Sequence, residues 1–158
     1  MLGRVGRNGW MGWWLLTAAL YNAAWGALVV GFPRAPFRWA GMEAPTYPEV
    51  WQCLGMVVGV YGLLYLVAAL DPLGQWPVVA VGLLGKVLGP LGFSWAAAHG
   101  ALPWVAGLTI LTNDVIWWIP FGVMLRRAAR AGLVGRLLTG ETHPVAPPSP
   151  ADERAAVA

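Results

Sequence analysis

Four long apolar stretches alternate with short polar or proline-rich ones: residues 10–30, 50–70, 76–98 and 102–125. Each is long enough to cross the hydrocarbon core of a bilayer as a helix, which takes roughly 20 residues. Inside these runs only two side chains carry a full charge, Lys86 and Asp114. The pattern predicts an all-α fold, an integral membrane four-helix bundle forming one domain over residues 1–138.

The connections differ in kind. Residues 31–49 carry Pro33, Pro36, Pro45 and Pro48, which forbid a long regular helix, and Phe32, Phe37, Trp39 and Met42, which are too apolar for a solvated loop. This long first loop either lies on the membrane surface, with a helical turn or two between Pro36 and Gly41, or folds back as a lid. Asp71-Pro72-Leu73-Gly74 has tight-turn chemistry: Asp bonds the following backbone, Pro fixes φ and Gly permits reversal. His99-Gly100-Ala101 forms the last turn, and His99 is a lone solvated histidine. The start, residues 1–9, is basic. No small-residue pair suits signal cleavage after Ala24 or Ala27, so residues 10–30 are expected as a retained first span.

Lys86 lies fourteen residues before Gly100 and Asp114 fourteen after it (100 − 86 and 114 − 100). In an antiparallel hairpin, equal distance from the turn means equal depth, here ~21 Å along the helix axis. A lone charge at mid-bilayer costs on the order of 3 kcal/mol, which a neighbouring opposite charge offsets. A buried Lys86–Asp114 salt bridge is therefore expected. Asn22, Tyr61 and Asn113 fall at similar depth and complete a central polar layer. Two readings of that layer stand: a structural pin that fixes helix register, or a proton or substrate site.

Small residues mark close helix approaches. Gly55 and Gly59 form a small-xxx-small pair, and Gly82, Gly85, Gly89 and Gly92 make a stripe beside Lys86. Pro90 and Pro120 predict kinks; Pro90 deprives the carbonyl of Lys86 of its helical donor.

Composition sharpens this picture. Hydrophobic residues make up 58% of 158 and charged ones 11%, against roughly 25% charged in soluble domains. Arg4, Arg7, Arg126, Arg127, Arg130 and Arg136 flank the outer spans, whereas the first loop holds Arg34 and Arg38. This bias predicts both termini in the cytoplasm and the first loop outside, in a bacterial inner membrane. Residues 126–138 read as a basic amphipathic juxtamembrane segment, with Arg126, Arg127, Arg130 and Arg136 able to meet anionic lipid. Residues 139–158, which include His143, are expected to be disordered. Nothing resembles a nucleic-acid-binding surface. The single cysteine, Cys53, permits no intramolecular disulfide and is the one redox candidate. Two distant histidines argue no metal site, the sequence names no cofactor, and a homo-oligomer stays open.

The strings Tyr21-Asn22-Ala23-Ala24-Trp25-Gly26, Trp51-Gln52-Cys53, Gly85-Lys86-Val87-Leu88-Gly89-Pro90, Leu102-Pro103-Trp104 and Asn113-Asp114-Val115-Ile116-Trp117-Trp118-Ile119-Pro120-Phe121 carry a resemblance. Together they resemble a family of small four-helix bacterial membrane proteins, mostly uncharacterised, some labelled "alkyl hydroperoxide reductase". The four-span layout is more distantly similar to DoxX-like membrane proteins. The resemblance covers about two-thirds of the chain. Its label implies a membrane component of peroxide or quinone redox metabolism. The residues themselves favour a non-enzymatic scaffold or a bundle that binds a small molecule or lipid. A small proton-linked transporter is a third expectation.

Overall fold

The computed structural model describes residues 2–139, which form helices and turns without a strand. The expected tail at 140–158 lies outside the described residues. Four helices are long and apolar enough to cross a membrane: α2 (Gly9–Gly31), α4 (Pro48–Ala68), α5 (Trp76–Ala98) and a composite fourth helix, Trp104–Arg130. The short helices α1 (Leu2–Arg7), α3 (Ala35–Trp39) and α8 (Leu133–Thr139) flank them. The fourth helix is not uniform. A 3-10 turn (Trp104–Gly107) leads through α6 (Leu108–Ile110) into a π-helical stretch (Leu111–Val115), and α7 (Ile116–Arg130) follows. Arg126, Arg127 and Arg130 thus continue the fourth helix, while Arg136 sits on α8.

Each long helix packs on its sequence neighbour, and α7 closes the ring against α2. α2 and α4 make the most intimate pair. A Cβ on Gly26 would lie 2.7 Å from the Gly55 carbonyl oxygen and 2.9 Å from Gly59 Cα, and one on Gly62 would lie 2.9 Å from the Ala19 oxygen. Gly59 itself has nothing within 4 Å of such an atom, so it serves as the surface on which Gly26 rests.

The turns follow their chemistry. Asp71 Oδ1 accepts from the Gly74 amide at 3.0 Å, and Gly100 takes a φ of +74°. Gly9, with φ +59°, turns α1 back so that Val5 is fully buried beside α2. Asn8, at that corner, donates from Nδ2 to the carbonyls of Ala69 (3.0 Å) and Leu70 (2.8 Å), capping the end of α4. Arg127 lies 5.3 Å from the Trp10 ring at the same end.

The dense core occupies this near end. Leu15, Tyr65, Val79, Trp117, Phe121 and Met124 pack there, with Tyr65 and Phe121 rings 5.3 Å apart. The opposite end is capped by the first loop. Phe37 of α3 meets Trp51 edge to face at 5.2 Å and, with Trp25 and Phe93, lines an apolar pocket of about 240 Å³. Phe32 and Trp39 of the same loop are exposed. The loop thus divides the two expected roles: Phe37 covers the bundle, and its neighbours face outward.

Candidate binding cleft

Between the dense end and the capped end lies a cleft of about 440 Å³ bordered by α2, α4, α5 and the π-helical stretch. All five residues of the expected polar layer line it: Asn22, Tyr61, Lys86, Asn113 and Asp114. Lys86 and Asp114 are only 6% and 8% exposed, and Asn22 5%.

The expected salt bridge is not formed. No Asp114 carboxylate oxygen lies within 4.0 Å of Lys86 Nζ. The ammonium instead donates to the main-chain carbonyl of Asn113 at 2.5 Å and sits 5.6 Å from the centre of the Trp117 ring. Depth matching brought the two residues to one cleft, but it did not set rotation about the helix axis. The wider π-helical turn does that. It presents the Asn113 carbonyl to Lys86 and turns the Asp114 carboxylate toward Gly89, where a Cβ would lie 3.7 Å from Oδ2. Among the described residues, the Asp114 carboxylate accepts only from Asn113 Nδ2, at 3.4 Å.

The backbone around Lys86 is held from the fourth helix as well. Pro90 leaves the Lys86 carbonyl without its helical amide donor. Trp118 Nε1 donates to that oxygen at 3.0 Å. Lys86 is thereby tied to the fourth helix twice, through Nζ and through its carbonyl. Trp117 holds the π-helical stretch from below, donating from Nε1 to the Thr112 carbonyl at 3.1 Å. The Tyr21 hydroxyl adds a bond to Thr112 Oγ1 at 3.2 Å, linking α2 to the same turn.

Several polar groups in the cleft have no protein partner. Asn113 Oδ1 is enclosed and unbonded. Among the described residues, the Asn22 amide and the hydroxyls of Tyr61 and Tyr65 make no hydrogen bond either. Each such group, left bare in an apolar setting, costs about 1–3 kcal/mol. Among the described residues Lys86 Nζ has one hydrogen-bond acceptor, which leaves two of its three donors open. The arrangement can receive both a hydrogen-bond donor and an acceptor within one small volume.

The other candidates fall elsewhere. Cys53 is exposed on α4 and does not line the cleft. Gly82 faces the Tyr65 ring, whereas Gly85 has open space before it. His99 is exposed at its turn, with Nδ1 2.8 Å from the Trp95 carbonyl. Among the described residues, no three His, Cys, Asp or Glu side chains converge as a metal site would need.

Sequence reasoning missed Tyr65, Trp118, Asn8 and the π-helical turn. Only Trp118 left a readable trace: the carbonyl freed by Pro90 calls for a donor on a neighbouring helix. No family model, curated protein or solved structure matches the chain. The family resemblance therefore rests on the quoted strings alone, and the cleft carries the functional reading.

Proposed function

We propose that the protein is a membrane-embedded binder of a small molecule, which it holds in the central cleft against Lys86, Asn113, Asp114 and Asn22. One observation carries this reading. The buried Asn22, Lys86 and Asp114 converge on a cavity with Asn113, and among the described residues Asn113 Oδ1 and the Asn22 amide have no hydrogen-bond partner there. A structural pin gains most from a closed, fully bonded pair, because half-satisfied buried polar networks are costlier than apolar packing. A binding site keeps its donors and acceptors open for the occupant.

The arginine distribution supports an orientation with both termini in the cytoplasm of a bacterial inner membrane and the α3 cap outside. Arg126, Arg127, Arg130 and Arg136 would then meet anionic lipid headgroups. Cys53 has no part in this reading.

Native mass spectrometry of protein released from its own membrane tests it. The parent should carry a defined small-molecule adduct near one per chain. Asn113→Leu, folded by circular dichroism, should lose it. An adduct-free parent, or an adduct kept by the variant, would overturn the reading.

A further inference from the structure

We propose that the cleft is entered sideways between α4 and α5 and takes the uncharged, hydroxyl- or carbonyl-bearing head of an amphiphile whose chain remains in the lipid; this rests on the cleft being a binding site.

The axial routes are closed. Tyr65, Phe121 and Met124, each at most 1% exposed, fill the near end. The α3 cap, with Phe37 on Trp51, covers the far end. The side between α4 and α5 is different. These helices meet over a short stretch only, unlike α2 and α4. The cleft's lining there includes Leu54 and Val81, which are 51% and 52% exposed, and the exposed glycines Gly85 and Gly89. A Cβ at Gly85 would meet nothing within 4 Å, so this part of the α5 glycine stripe is not a helix contact. It keeps a gap open. The surrounding outward faces carry Leu63, Leu84 and Leu88, all more than half exposed, which suits contact with hydrocarbon.

The head is defined by what lines the interior. One cation, Lys86, and one anion, Asp114, give the lining no net formal charge. A charged head would incur a much larger desolvation cost than an uncharged one, and a lining of zero net charge does not offset it. Asn113 Oδ1 requires a donor from the occupant, and Lys86 offers donors to its acceptors. A hydroxyl beside a carbonyl or ester satisfies both. The volume of about 440 Å³ falls within the range of small-ligand pockets and is ample for such a head.

Three photoreactive probes test this on the full chain in phosphatidylcholine vesicles: a diazirine-bearing 1-monoacylglycerol, a diazirine-bearing butanediol that lacks the chain, and a diazirine-bearing fatty acid that keeps the chain but has a charged head. Crosslinks are mapped by peptide mass spectrometry. The monoacylglycerol should label the α4 and α5 segments around Tyr61 and Lys86, and the butanediol should not. In Gly85→Leu, labelling should fall about tenfold, equivalent to about 1.4 kcal/mol of binding, with the unfolding temperature unchanged. If Gly85→Leu does not fold, Val81→Trp on the exposed rim gives the same readout. Equal labelling by the butanediol, unaffected by either rim variant, would overturn lateral entry and leave the cleft as a binding site. Stronger labelling by a photoreactive fatty acid of the same chain would overturn the uncharged head. No cleft labelling by any probe would remove both readings together.

Discussion

Lys86 Nζ and the main-chain carbonyl oxygen of Asn113 are 2.5 Å apart, which anchors the ammonium one residue short of the Asp114 carboxylate. The anchor uses a neutral acceptor, and the acid beside it keeps lone pairs for something else. The central layer is thus neither an apolar core nor a closed ion pair.

The Trp118 bond to the Lys86 carbonyl should be worth measuring by a pair of substitutions. Trp118→Phe removes the donor and leaves that oxygen bare, at an expected cost of about 1–3 kcal/mol. Pro90→Ala restores the helical amide. The double variant should therefore lose less stability in detergent than Trp118→Phe alone. Equal losses would show that the indole bond does not stand in for the missing amide.

The α2–α4 contact gives a contrast between two glycines on one interface. Gly26→Ala forces a methyl against the Gly55 and Gly59 backbones and should cost about 1–3 kcal/mol. Gly59→Ala meets no neighbour and should leave the thermal midpoint close to the parent's. A reversed order would mean that the two helices cross differently.

Asn8 caps α4 from outside that helix. Asn8→Ala removes two hydrogen bonds, to Ala69 and Leu70. Each is worth about 0.5–1.5 kcal/mol net. Amide exchange in residues 69–75 should quicken before exchange in the middle of α4 does. Unchanged exchange there would remove the cap from the account.

The fold was largely legible, and the reason is physical. A run such as residues 76–98 has no alternative to a helix once its backbone must satisfy itself in an apolar solvent. Turn chemistry at Asp71 and Gly100 then fixed the order of helices. Depth was legible too: counting alone put Lys86 and Asp114 at one level, and both line the same cleft. Rotation was not. The π-helical turn at Leu111–Val115 re-aims every side chain after it, and no residue in Leu-Thr-Asn-Asp-Val announces such a turn. Asn8 was unreadable for a related reason: its partners lie 61 and 62 residues away. Glycine counting identified Gly55 as a close approach but overvalued Gly85, because a small residue looks the same beside a helix as beside a gap.

Orientation can be tested separately. Reporter fusions after Arg130 and within residues 40–46 should report opposite sides of the membrane, the first cytoplasmic, as the arginine bias requires. The same side for both would refute three crossings between them and the loop placed outside.

The central claim is that the cleft exists to hold an occupant. It is tested most directly by an experimental density map of protein purified from its own membrane, sharp enough to show side chains. The account predicts non-protein density within hydrogen-bond distance of Lys86 Nζ and Asn113 Oδ1, reaching outward past Gly85. A collapsed cleft, with the Lys86 ammonium bonded to the Asp114 carboxylate and no density between α4 and α5, would contradict it.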